Sequence, residues 1–188
     1  MRDWIACRSL NSWFEPETLG EKLVVPSVLA ILVLVPFVKP LLDPIELSRL
    51  KDHCEGEVCM QSTFSTCGPS SAATILKAFG QTASEKELAS ECLTSRGGTE
   101  IWYIARAFRR RGFRTQVQVQ TAASMSPVSP AIAGVVLPGG AGHFIAILSQ
   151  TPTEITIADP MKGKLIVKRA ELNNYYHFTG FFLIIYPN

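Results

Sequence analysis

The amino-acid sequence predicts an α+β fold in which N-terminal helices pack on a C-terminal antiparallel sheet, preceded by one transmembrane helix. Three observations carry that reading. Helix starts and stops fill the stretch from Cys67 to Gly112, short β-rich runs follow from Arg114 onward, and a long apolar run precedes both. Helices and sheet arranged in this order leave a cleft where the two layers meet.

The apolar run is LVVPSVLAILVLVPFVKPLL, from Leu23 to Leu42, in which Lys39 is the only charge. About 20 residues of helix cross the hydrocarbon core of a bilayer, and a lysine near the end can reach the interface. The segment is therefore expected to meet membrane lipid as a single-pass anchor. Pro26 and Pro36 flank an uninterrupted centre, Ser27 to Val35, and are expected to border or kink the helix. The alternatives are a buried core helix and the apolar part of a signal peptide. The 22 residues before it are long and acidic for a signal, and no small-x-small site follows. Arg2, Arg8 and Lys22 before the span balance Lys39, Arg49 and Lys51 after it, so the side on which the remainder lies stays open.

A length of 188 residues suits one domain with an appendage. The expected division is an anchor segment over 1–42, a spacer helix and linker over 43–57, and a folded domain over 58–188. With 47% hydrophobic and 18% charged residues and a mean hydropathy of +0.18, the chain is too apolar for disorder. A net charge of +2 is too small to imply nucleic acid. The basic run Arg106, Arg109, Arg110, Arg111 and Arg114 lies where a helix ends, as a solvated face favoured by the helix dipole or, alternatively, a site for acidic substrate or lipid headgroups. Five cysteines are too few and too irregularly spaced for a disulfide scaffold. Cys54 and Cys59 have His53 nearby but no second close cysteine pair, so neither metal nor cofactor is expected.

Asp43-Pro44 with Glu46 reads as a helix start running toward Lys51. Cys67-Gly68-Pro69 leads into SSAATILKAF and stops at Gly80, which predicts a buried helix with Cys67 at its N-terminus. Ser84-Glu85-Lys86-Glu87 is a capping box opening a second helix through Cys92. Gly97-Gly98-Thr99 opens a third from Glu100 to Arg111, closed by Gly112. Strands are predicted at RTQVQVQ, AIAGVVL, HFIAILS, EITIA, KLIVK and GFFLIIY, with a helical turn or two between Lys168 and Tyr175.

A helix N-terminus with a histidine partner stabilises a cysteine thiolate. Cys67 has the first of these, and His143 in GGAGHFIAI, delivered by glycines at the start of a strand, is the candidate base. An imidazole needs an orienting acceptor. Asp159 ends the strand EITIA just before Pro160, and a hairpin turning near Gln150 to Thr153 would bring it opposite His143. Gln61, six residues before Cys67, can supply an amide donor to an oxyanion beside the Cys67 backbone N–H. Each residue alone has an ordinary reading: a buried thiol, a core histidine, an Asp-Pro turn and a loop glutamine.

Taken together, QSTFSTCGPSSAATILKAFG, GHFIAI and ADPMKGK resemble, in order and spacing, the bacteriocin-processing, double-glycine leader peptidases, family 39 of the papain-like cysteine peptidases. The likeness runs from about Gln61 to Tyr186 and includes Gly163, the segment Glu171 to Tyr175 and FTGFFLIIY. It implies a papain-like fold over 58–188, with Cys67 as nucleophile, His143 as general base and acid, Asp159 as orienter and Gln61 as oxyanion donor. It also implies a peptide or protein substrate cut after Gly-Gly or small residues, and export machinery as partner, since many relatives are N-terminal domains of export ATPases. Here an apolar span precedes the domain and no nucleotide-binding segment follows it. Inactive relatives lack the cysteine, and retention of Cys67 and Gln61 argues against that class. A papain-like amide hydrolase or acyl transferase acting on a non-peptide substrate, and a recognition module that binds without cutting, are the rival readings. If the domain lies outside the cytoplasm, Cys59 and Cys92 are a candidate disulfide.

Overall fold

The computed structural model describes residues 19–120 and 129–187, so Cys7 and the segment before Leu19 lie outside the described residues. The chain divides into two units, Met1–Val38 and Lys39–Asn188. Helix α1 (Leu19–Leu42) supplies the described part of the first. Its stretch Val24–Leu42 has a mean hydropathy of 2.2 and is long and apolar enough to cross a membrane. Leu29, Leu32, Leu34 and their neighbours are exposed, so this is not a core helix. The helix runs through Pro26 and Pro36 without stopping; each proline removes only one hydrogen bond from a 24-residue ladder.

The second unit opens on Lys39, whose Nζ donates to Gly97 O at 3.3 Å and lies 3.8 Å from Glu100. The spacer helix expected from Asp43 to Lys51 does not form; a single 3-10 turn, Leu47–Arg49, takes its place. Asp43 O accepts from Arg96 N, the Asp43 carboxylate lies 3.5 Å from Arg96, and Pro44 bridges to Ser95. Groups that would have started a helix are committed to the loop at Ser95 and Arg96.

Two short strands, β1 (Cys54–Glu55) and β2 (Val58–Cys59), form a hairpin whose paired Cys54 and Cys59 are joined by a disulfide. This corrects the Cys59–Cys92 pairing: Cys92 is a free thiol, fully buried against the Tyr103 carbonyl. Helix α2 (Cys67–Ala78) is almost wholly buried from Cys67 to Leu76, as its small and apolar residues require. Helix α3 (Glu85–Glu91) is capped by Ser84, whose Oγ accepts from Glu87 N at 3.0 Å. Helix α4 (Ile101–Arg110) ends in the arginine run, whose members fasten it to its neighbours. Arg111 reaches Glu91 and Glu87 at 2.5 and 3.1 Å, Arg106 donates to Glu91 O and covers the Tyr103 ring, and Arg109 donates to Thr115.

The six remaining strands are β3 (Arg114–Val119), β4 (Ala131–Val136), β5 (Gly142–Gln150), β6 (Glu154–Asp159), β7 (Gly163–Lys168) and β8 (His177–Tyr186). They form one sheet in the order β3-β8-β4-β5-β6-β7, with every pairing antiparallel. Helix α5 (Leu172–Tyr175), entered through a 3-10 turn, fills the interruption before β8. Alternation along the strands sends Ile132, Ala146, Ala158 and Leu183 against the helices, where they meet Ile75, Leu88, Ile104 and Phe108. Ala133, Ile145, Ile157 and Phe182 build a second core on the other face. Both faces of the central strands are thus buried, which holds their ends in fixed positions.

Candidate active site

Cys67 is the first residue of α2 and is 7% exposed. Its partner His143 is the second residue of β5 and 4% exposed. The β5–β6 register pairs Ala146 with Ala158 and Ile147 with Ile157. Continued by one residue, it sets Asp159 across from Ile145, so His143 is the diagonal neighbour on the same face rather than the residue directly opposite. The diagonal suits the long imidazole: His143 Nε2 lies 3.0 Å from Asp159 Oδ1. With Nε2 engaged there, Nδ1 remains available to Cys67, which lines the same cleft.

Asp159 is fully buried, and three donors meet its carboxylate. His143 and Met161 N, the latter at 2.8 Å, share Oδ1, while the Tyr176 hydroxyl donates to Oδ2 at 2.7 Å. Burial opposes the charge, but the hydrogen bonds from His143, Met161 and Tyr176 outweigh it and hold the carboxyl below its usual range. For His143 burial also opposes the charge and pulls the pKa down, yet the Asp159 hydrogen bond and the nearby Cys67 lift it to about 9. Burial and the Asp159 bond push the Tyr176 hydroxyl well above its ordinary value, so it remains a donor. Sequence reasoning missed Tyr176. It stands in the run NNYYH, where nothing separates a buried tyrosine from a surface one.

Gln61 lies on the loop that enters α2. Its Nε2 donates to Thr63 O at 2.9 Å, which occupies one of the two amide protons, and its Oε1 is buried without a partner. It borders a groove with Phe64, Pro160 and Met161, whereas Cys67 and His143 line an adjoining cleft of about 440 Å³. Phe64, 75% exposed, borders both. The cleft walls are aromatic and glycine: Phe144 and Phe181 on the sheet side, Gly97 and Gly98 opposite. Read in the sequence as the start of α4, this glycine pair also forms the wall facing the sheet. No cluster of metal-ligating side chains occurs among the described residues.

A cysteine at the head of a buried helix, facing a histidine on an antiparallel sheet, defines the papain-like class of fold. Residues 56–188 match the peptidase C39 family. The chain is 30% identical over 129 residues to an uncharacterized protein of Methanothermobacter thermautotrophicus, covering 68% of this chain and 87% of that one. A second relative, from Methanothermobacter marburgensis, is 29% identical over 143 residues, 75% of this chain and 96% of its own length. Among solved structures, a double glycine motif protease from an AMS/PCAT transporter, in complex with the leader peptide, aligns with a TM-score of 0.59 at 22% identity, covering 75% of this chain and 96% of that one. The peptidase domain of Streptococcus ComA, a bi-functional ABC transporter of a quorum sensing pathway, aligns at 0.56 and 19%, covering 74% and 98%. At such identities these two likenesses concern the fold. The chain belongs to the peptidase C39 family of cysteine peptidases.

Proposed function

We propose that the protein is a membrane-anchored cysteine peptidase that cleaves a leader or secreted peptide after Gly-Gly or small residues, with Cys67 as nucleophile, His143 as base and acid, Asp159 as orienter and Gln61 as oxyanion donor. The observation that carries the reading is that Cys67 and His143 line one cleft, with His143 Nε2 3.0 Å from the buried Asp159 carboxylate. In the reaction, the Cys67 sulfur attacks the scissile carbonyl. The second Nε2 proton of Gln61 and the Cys67 backbone N–H receive the oxyanion. His143 passes its proton to the leaving amine, and water, deprotonated by the same imidazole, then hydrolyses the thioester and restores the thiol.

The cleft supports a preference for small residues. Gly97, Gly98, Gly134 and Gly142 bring backbone to its surface. An extended chain without side chains fits such a slot, and Phe64, Phe144 and Phe181 cover its apolar edge. Residues 1–42 serve as anchor through Val24–Leu42, 43–57 as linker and 58–188 as peptidase. The fold shared with transporter peptidase domains suggests export machinery as the partner.

The test is to incubate the full-length protein with Gly-Gly leader peptides and a diverse peptide library, and to map products by mass spectrometry. Cleavage after Gly-Gly or small residues is expected from the wild type. Rapid alkylation of Cys67 with no peptide cut would overturn the peptide substrate.

A further inference from the structure

The loop that carries Gln61 is held by its own backbone, residue by residue. Cys59 N donates to Thr74 Oγ1 at 2.9 Å, Met60 N to His53 O at 2.8 Å, Gln61 N to Pro160 O at 2.9 Å and Ser62 N to Glu85 Oε1 at 2.7 Å. Four consecutive amides thus reach four separate places: α2, the segment before β1, the turn after Asp159, and α3. The last acceptor differs in kind from the others. It is a side-chain carboxylate, 2% exposed, on the first residue of α3.

Both oxygens of Glu85 serve one residue. Oε1 accepts from Ser62 N, and Oε2 accepts from Ser62 Oγ at 2.5 Å. The same hydroxyl accepts from Lys51 N at 2.8 Å. A buried carboxylate is costly unless its lone pairs are met. Glu85 has no part in the chemistry proposed for Cys67 and His143.

The geometry gives it another role. A peptide unit is planar, so fixing the two units that flank a Cα fixes φ and ψ at that residue. The unit before Gln61 Cα is pinned by Gln61 N to the Asp159–Pro160 turn, and the unit after it is pinned by Ser62 N to Glu85. Together they set the direction in which the Gln61 side chain leaves the backbone, and Thr63 O then fixes its amide. We propose that Glu85 is the positioning residue of the oxyanion loop, acting through Ser62 to aim Gln61 at the reacting carbonyl. This rests on the peptidase reading above. Donors that stabilise an oxyanion work only when they are already aimed, so a loosened loop loses rate rather than substrate affinity.

The experiment is a double-mutant cycle on the full-length enzyme, with kcat and KM measured for the wild type, Glu85→Gln, Gln61→Ala and the double variant. Glu85→Gln keeps the size but replaces one acceptor oxygen with a donor. The expected result is a kcat reduced by about tenfold or more with KM nearly unchanged, and no further loss when the same change is made in Gln61→Ala. An equal loss in both backgrounds, a change in KM alone, or no change in Glu85→Gln would each overturn the proposal. Should Glu85→Gln fail to fold, as judged by circular dichroism and thermal melting, Ser62→Ala enters the same cycle. Cys67→Ala runs alongside to separate the two failures. If it abolishes turnover while Glu85→Gln does nothing, the positioning role falls and the peptidase reading stands; if it retains turnover, both fall.

Discussion

His143 owes its raised pKa, about 9, to Asp159 and Cys67, which overcome the burial that would keep the ring neutral. In the proposed reaction the leaving amine takes its proton from the imidazolium, so kcat/KM is expected to fall as pH rises through about 9. Asp159→Asn removes the anion that holds the proton, so the basic limb should move to lower pH; a limb that stays in place would detach Asp159 from His143. A second expectation concerns the thiols. Burial, reinforced by Glu91, pushes Cys92 up to about 12, so at pH 7 a small alkylator should label Cys67 well before Cys92, as peptide mapping will show. Comparable labelling of both would contradict it. The grouping of Cys67, His143 and Asp159 was legible because each stands at an element boundary marked by its neighbours: Cys-Gly-Pro at a helix start, Gly-His at a strand start, Asp-Pro at a strand end. Tyr176 and Glu85 had no such mark. Glu85 read only as the first-turn acid of a capping box, and its contact with Ser62 spans 23 residues of sequence.

Elements were readable where local chemistry and tertiary packing agreed. Helices α2, α3 and α4 and five strands of the large sheet lie within a residue or two of their expected places, because period and punctuation point the same way there, and β8 begins at His177, three residues before the expected Gly180. The segment Asp43 to Lys51 shows the opposite case: a good helix start lost to the loop around Arg96, which claimed the Asp43 carbonyl and carboxylate. The Cys54–Cys59 bridge was missed because the two-residue strands β1 and β2 are too short to give a period. One glycine in β8 carries a sharp prediction. Gly180 has φ +81°, and a Cβ there would sit 2.0 Å from the Gln120 backbone oxygen, which no side-chain adjustment can relieve. Gly180→Ala should destabilise the domain by about 3 kcal/mol, lowering the melting temperature by about 10 °C. A melting temperature within a degree or two of wild type would show that β8 tolerates a different backbone there.

At the scale of the whole molecule, the apolar length of Val24–Leu42 predicts that the full chain stays in the membrane fraction through a carbonate wash, and that a chain starting at Asp43 leaves it. Release of the full chain would contradict the anchor. The sequence left the side of the membrane open, and the structure adds a physical argument: a disulfide between Cys54 and Cys59 persists where the surroundings are oxidising. In native membranes both thiols are therefore expected to resist alkylation until a reductant is added, and immediate labelling would argue for a reducing compartment. The same hairpin leads through Met60 into the Gln61 loop, so the proposed oxyanion donor follows a short, braced run. In the proposed reaction peptide cleavage passes through the Cys67 sulfur. The most direct test of this is kcat/KM for the best peptide substrate with wild type and with Cys67→Ala, purified alike and shown to melt alike. A loss of about 10⁴-fold or more is the predicted result; cleavage retained within tenfold would place the chemistry on another residue.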